Sequence, residues 1–253
     1  MRAIEGMSVL ITGGGSGLGE GAARHLAAAG ARVTITGRRK GPITEVADSI
    51  GANCRGVAGD VTVEDDRQRM VAAAVDHGGG LEGLISNAGN IYRCDVPDFE
   101  EDRLLDLFNT NVVGGMMLTK AAYPHLKQSR GCVLFVGSVH TQRAFPNASP
   151  YAATKGALEA LTGVLAAELG QDQIRVGCVR PGGVLTEINV RAGLTTFEEQ
   201  RDRLEGMGAM HALGRPGTPA EVAEAFEYLL RAEWTTGNVL TVDGGLGLGV
   251  TNE

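Results

Sequence analysis

Ser8-Val9-Leu10-Ile11-Thr12-Gly13-Gly14-Gly15-Ser16-Gly17-Leu18-Gly19 is the stretch that decides the fold. Ser8 to Thr12 reads as a short strand, and Gly17 to Ala29 as a helix closed by Gly30. Glycines at such a strand-to-helix junction let the chain turn tightly. They also let a pyrophosphate approach the backbone N–H groups at the helix N-terminus. The strict Gly-x-Gly-x-x-Gly fingerprint is absent, and a relaxed match at Gly17 and Gly19 ending in Ala22 starts too far past the strand. The lysine of a P-loop is missing as well, which argues against a nucleotide hydrolase. A merely flexible loop is the alternative, and its place at the junction argues for a dinucleotide site instead.

Outward from this stretch, apolar runs alternate with helical patterns. Strands are expected at Arg32 to Thr36, Cys54 to Ala58, Gly83 to Ser86, Cys132 to Gly137, Arg175 to Arg180 and Asn238 to Val242. Between them lie helical patterns from Pro42, from Val63 to His77, from Glu100 to Leu126, and from Pro219 to Leu230. Ser149 is expected to cap, and Pro150 to open, a helix that reaches Leu169 and stops at Gly170. This alternation predicts an α/β fold. It is read as a single Rossmann-type doubly wound domain over residues 1–253, with about seven parallel strands and helices on both faces. Ligands bind such sheets beyond the carboxyl ends of the strands. Residues 182–217 fit the pattern worst and are expected to form a mobile, substrate-covering flap; a static helical insertion is the alternative.

The chain has 253 residues and 43% hydrophobic content, enough for one large core. Its 38 glycines have no collagen period, so they mark turns and close backbone approaches. A net charge of −7 argues against a nucleic-acid surface without excluding a local basic pocket. No run approaches the ~18 apolar residues of a membrane span, and the N-terminus shows no signal-peptide core. Cys54, Cys94, Cys132 and Cys178 have no metal or redox spacing, so reduced thiols in a cytoplasmic protein are expected.

Tyr151 and Lys155 stand four residues apart, on one face of the helix after Pro150. An ammonium beside a phenol favours the phenolate, and such a pair can move a proton to or from a substrate hydroxyl. Tyr-x-x-x-Lys also occurs by chance, so the rest of the chain must decide. Ser138 lies just past the fifth strand, at the ligand end. Its hydroxyl is placed to donate where negative charge develops, although a turn serine is the simpler alternative. At the end of the second strand, where NAD-preferring proteins carry an acidic residue, Gly37 is followed by Arg38, Arg39 and Lys40. A guanidinium grips a phosphate through paired hydrogen bonds. NADP(H) is therefore expected over NAD(H), against the alternative of a solvated basic loop.

Together these residues resemble the classical short-chain dehydrogenase/reductase (SDR) family. Thr12-Gly-x-x-x-Gly17-x-Gly19, Asn87-Ala88-Gly89, Ser138 and Tyr151-x-x-x-Lys155 occur in that family's order and spacing. Asp60-Val61, Asn111, Pro181-Gly182 and Asp243-Gly244-Gly245 are similar to its further markers, so the likeness spans about Met7 to Gly245. The resemblance implies a ketone or aldehyde interconverted with an alcohol, Tyr151 acting as general acid/base. Lys155 would then bond the nicotinamide ribose, and Asn111 would support a water linking Lys155 to solvent. It implies cofactor contacts from Gly13, Ser16, Leu18, Asp60, Val61, Asn87, Ala88 and Gly89, and from Pro181, Gly182, Val184 and Thr186 about the nicotinamide. It further implies a homodimer or homotetramer. Gly156, Ala160, Gly163 and Ala167 form a side of small residues on which two copies of the helix would pair; a helix buried within one chain is the alternative.

Expected substrate-facing residues are His140, Gln142, Phe145, Val184, Leu185 and Ile188. No two basic residues obviously await a carboxylate. Lys127 and Arg130 offer a modest basic corner for an acyl carrier, so a 3-oxoacyl-thioester reductase stays open. So do a non-catalytic NADP(H)-binding regulatory protein and an isomerase or dehydratase with a transient hydride transfer.

Overall fold

The seven apolar runs form strands β1 (Ser8–Thr12), β2 (Arg32–Gly37), β3 (Cys54–Ala58), β4 (Gly83–Ser86), β5 (Cys132–Val136), β6 (Arg175–Pro181) and β7 (Asn238–Val242). In the computed structural model, which describes residues 1–250, they make one parallel sheet in the order β3-β2-β1-β4-β5-β6-β7. The order reverses at β1, which pairs with β2 on one side and β4 on the other. That reversal opens a crevice at the carboxyl ends of β1 and β4.

Alternation along each strand serves two cores. Val9, Ile11, Ile35 and Leu134 face one cluster, beneath α1 (Gly17–Ala28), α2 (Lys40–Ile50) and α9 (Pro219–Arg231). Leu10, Leu84, Val133 and Phe135 face the other, beneath α3 (Glu64–Gly78), α5 (Gly114–Ser129) and α6 (Ser149–Leu169). Each fully buried Leu, Ile or Phe contributes about 1.5–3 kcal/mol, so both faces of the sheet are held closed. Asp65 and Asp66, with Glu64, favour the positive N-terminal end of α3. Thr218 and Glu221 close a capping box on α9, with Pro219 in its first turn.

Two expected boundaries change. The helix expected from Glu100 to Leu126 is α4 (Glu101–Phe108) and α5 joined by a π turn, Asn109–Val113, where one extra residue is absorbed. Ser149 does not cap α6: Ala148 holds the capping position, Ser149 is already helical, and no side chain caps the end. α6 does end at Leu169 with Gly170 as its C-cap, as expected, but Gly170 is right-handed at φ −61°. It continues into a short 3-10 turn, and the left-handed residue is Gln173 at φ 59°. No helix is long and apolar enough to cross a membrane among the described residues.

Residues 182–217 carry α7 (Ile188–Arg191) and α8 (Phe197–Gly206), the latter closed by a Thr196–Glu199 capping box. Its two ends meet: Val184 bridges Gly217, and the Gly217 N–H donates to the Gly183 carbonyl at 2.9 Å. The excursion is therefore a loop pinned at its base, with its helices over the crevice.

Candidate active site

The crevice is a cleft of about 820 Å³. Its floor at β1 depends on glycine. Gly13 has φ +67° and Gly17 φ +56°, both left-handed. A Cβ on Gly19 would strike the Gly13 carbonyl, and one on Gly14 would sit 2.5 Å from Ile35. Thr12 holds the loop down: its hydroxyl accepts from the N–H groups of Asn87 (3.0 Å) and Ala88 (2.8 Å). The Asn87 side chain donates to the carbonyls of Thr12 (2.8 Å) and Gly13 (3.3 Å). Asn87 thus ties β4 to the glycine loop. No side chain caps α1, which leaves its first N–H groups facing the cleft.

Three arginines gather beside this loop. Arg38 and Arg39 line the cleft after β2, and Arg191 reaches it from α7, donating to Ser16 Oγ at 3.3 Å. Arg191 is pulled below the usual guanidinium range by burial first, then by the like charge of Arg39. Glu187 lies 3.6 Å from Arg39. On the other side of the arginines, Asp60 and Val61 line the wall, with Asp60 Oδ1 accepting from the Thr62 N–H at 2.9 Å. A glycine-floored helix end beside clustered guanidiniums fits a nicotinamide dinucleotide.

Further along the cleft stand Ser138, Tyr151 and Lys155. The turn after β5 places Ser138, and α6 carries the other two. The Lys155 ammonium lies 5.4 Å from the Tyr151 ring centroid and donates to the Val136 carbonyl at 2.8 Å, leaving two of its three protons free. Arg180 grips Glu159 through two hydrogen bonds of 2.9 and 2.6 Å, and Thr141 donates to the same carboxylate at 2.8 Å. This network locks β6, α6 and the Ser138 turn together.

His140 fixes the serine. Arg93 Nη2 stands 3.2 Å from His140 Nε2, and His140 Nδ1 stands 2.9 Å from Ser138 Oγ. A guanidinium can only donate, so Nε2 accepts and Nδ1 carries the proton. Ser138 Oγ therefore accepts from His140, which leaves the serine's own proton free to face the cleft. The His140 ring meets Tyr151 edge-on at 5.3 Å and packs on Phe145 at 4.7 Å.

Most expected positions line the cleft: Gly13, Ser16, Gly17, Leu18, Ala88 and Gly89 at the cradle, then Pro181, Gly182, Val184, Thr186 and Ile188 along the other wall. Four do not. Gly19 lies beneath the loop, against Gly13, and acts through packing. Asn111 is buried in the π turn, where its side chain accepts from the Asn90 N–H (2.8 Å) and donates to Thr154 Oγ1 (3.0 Å), bracing α6. Gln142 turns its side chain toward Gly247. Leu185 does not line the cleft, although Val184 and Thr186 on either side of it do. Lys127 and Arg130 close α5 just before the amino end of β5, at the opposite edge of the sheet, and Lys127 is paired with Asp172 at 2.8 Å.

Two comparisons carry the family assignment. A family model described as enoyl-(acyl carrier protein) reductase matches residues 13–247. An uncharacterised oxidoreductase of Methylorubrum extorquens is 33% identical, covering 97% of this chain and all of its own, and bovine L-fucose dehydrogenase is 35% identical over 96% of this chain and 90% of its own. The chain belongs to the classical short-chain dehydrogenase/reductase family. Among solved SDR structures, a 3-ketoacyl-(acyl-carrier-protein) reductase from Brucella melitensis complexed with NADH superimposes with TM-score 0.86 at 35% identity, covering 96% of this chain and 99% of its own.

Within this SDR site, four basic residues escaped sequence reading: Arg93, Arg103, Arg191 and Arg203, all lining the cleft. The only sequence signal was a basic residue in an acidic chain. His140 yields a pH prediction. Burial first, then the charges of Arg93, Arg203 and Lys155, lower its pKa from 6.5 to about 4. The folded state then binds fewer protons than the unfolded state across that window. Its stability is complete above pH 6.5 and declines as pH falls toward 4, by up to about 1.4 kcal/mol per unit. His140→Gln should abolish this slope. The Tm of wild type minus that of the variant should drop by several degrees across the window, at ~2–4 °C per kcal/mol. A difference independent of pH would refute the buried neutral imidazole.

Proposed function

We propose that this SDR is an NADP(H)-dependent carbonyl/alcohol oxidoreductase with Tyr151 as general acid/base. The observation that carries the reading is Tyr151 in the cleft with the Lys155 ammonium 5.4 Å from its ring and a Ser138 hydroxyl whose proton is free. When bound, the nicotinamide supplies or accepts the hydride. Ser138 donates to the substrate oxygen as negative charge grows there during reduction. Tyr151 gives that oxygen its proton, and in the oxidative direction takes it back. The positive charge of Lys155 stabilises the phenolate that remains. Asn111, through its brace on α6, is a positioning residue in this reading, and the water route to Lys155 belongs to the same proposal.

NADP(H) is preferred over NAD(H) on the strength of Gly37 in the acidic position and the convergence of Arg38, Arg39 and Arg191. Asp60 and Val61 sit at the adenine end. Pro181, Gly182, Val184 and Thr186 flank the nicotinamide, while His140, Phe145 and Ile188 face the substrate. The pinned 182–217 excursion is the flap. Pairing of α6 with its copy in a homodimer or homotetramer is supported by Gly156 and Gly163, beside which a Cβ would meet open space, and by exposed Val164; light scattering giving the mass of one chain would exclude it. The free, unpaired cysteines suit a cytoplasmic setting.

The test is NADPH absorbance with a panel of ketones, aldehydes and 3-oxoacyl thioesters. Net consumption supports the reductase, and cofactor binding without turnover of any member supports a regulatory module. The Brucella reductase's likeness favours thioesters as the second reading, and selective turnover of them would establish it.

A further inference from the structure

The cleft is cationic in an acidic protein. Seven lysine or arginine side chains line it against two carboxylates, Asp60 and Glu187, in a chain of net charge −7. Both carboxylates stand with the dinucleotide group at Arg38, Arg39 and Arg191. A second cationic group lies elsewhere, beside the reacting residues. Arg93 touches His140, which touches Ser138. Arg203, on α8, lines the same end of the cleft.

Neither arginine has a carboxylate partner among the described residues. Arg93 Nε is buried with no hydrogen-bond partner at all. Burial first, and then the like charge of Arg203, pull Arg93 below the usual guanidinium range. A buried guanidinium N–H with no acceptor is costly, because nothing offsets its desolvation. A planar guanidinium matches the two oxygens of a carboxylate. Arg93 Nη2 lies one imidazole ring away from Ser138 Oγ, and Arg93 lines the same cleft as Ser138 and Tyr151, so a ligand held on its guanidinium is within reach of both.

We propose that the substrate is a short oxo acid, or the matching hydroxy acid, whose carboxylate is held by Arg93 with Arg203 as a second cation on the covering segment. The inference rests on the carbonyl/alcohol reading and supplies its substrate class. It revises the expectation that no two basic residues await a carboxylate: they lie 110 positions apart in sequence and meet only in the fold. Arg93 has a second consequence, since it sets the His140 tautomer and so acts as a positioning residue for Ser138.

The experiment compares 3-oxo and 4-oxo acids of about four to six carbons with their methyl esters, using the cofactor-loaded enzyme. Wild type should favour acid over ester by at least about 100-fold in kcat/KM, the value of two lost charge-assisted bonds. Arg93→Met and Arg203→Met should each collapse that ratio. Loss of the positioning role alone would lower acid and ester by one common factor and leave the ratio standing, which would overturn carboxylate recognition. Equal or better turnover of esters, neutral ketones or thioesters by wild type would overturn it too. If nothing is reduced, the carbonyl reading fails and binding decides the carboxylate site: calorimetry should show butanoate binding the loaded protein over butanamide, with the preference lost in Arg93→Met. Equal binding of the two would overturn the proposal.

Discussion

Tyr151→Phe should lower kcat by at least about 100-fold, the lower bound for losing general acid-base catalysis. The substitution removes one oxygen and keeps the ring. The ring's contacts, edge-on to His140 at 5.3 Å and beside the Lys155 ammonium at 5.4 Å, are made by carbon faces and edges that phenylalanine retains. Fold and cofactor affinity should therefore hardly move, and the melting temperature should stay within a few degrees. Lys155 keeps its bond to Val136, and Ser138 keeps its bond from His140. What disappears is the only hydroxyl in the proposed pair able to pass a proton to the substrate oxygen. KM should change far less than kcat, because the lost interaction is made mainly in the transition state. Turnover within about threefold of wild type would remove Tyr151 from the mechanism.

Gly37→Asp should reverse cofactor choice. Gly37 ends β2, and a Cβ there would meet only the flexible end of Ile43, at 3.2 and 3.4 Å. The side chain fits, and the new carboxylate stands where NAD-preferring Rossmann proteins place theirs, accepting from the ribose hydroxyl. A 2′-phosphate would face that carboxylate directly. Like charges brought together this way cost several kcal/mol, so kcat/KM for NADPH should fall by about 100-fold or more. Arg38, Arg39 and Arg191 remain, and they soften the repulsion without removing it. NADH should meanwhile be used as well as before or better. The measurement is the NADPH/NADH ratio of kcat/KM in both proteins. A wild type that already favours NADH, or a ratio that the substitution leaves unchanged, would sink the NADP(H) assignment.

Residues joined by short spacing are legible in the sequence. The glycine run after β1, the Asn87–Gly89 turn, and Tyr151 with Lys155 each lie within one local element, where backbone geometry alone sets which atoms face together. Gln142 and Leu185 show the limit of that logic. Both lie within two residues of a cleft-lining position, yet neither lines the cleft, because the direction of a side chain in irregular backbone is not set by its spacing in sequence. The π turn at Asn109–Val113 is hidden for a related reason: the apolar pattern runs through it, and one inserted residue in a helix leaves no compositional mark.

The order of elements, the parallel sheet and the pairing of Tyr151 with Lys155 on one helix followed from the sequence by itself, because period, turn chemistry and near-neighbour spacing are local properties. Only the tertiary structure decided the charge of the cleft. Arg93 follows β4, Arg191 and Arg203 lie in the segment after β6, and Arg38 follows β2. They converge because all these strands deliver their carboxyl ends to one edge of one sheet. The burial that leaves Arg93 Nε without an acceptor arises from the same convergence, and no spacing along the chain encodes it.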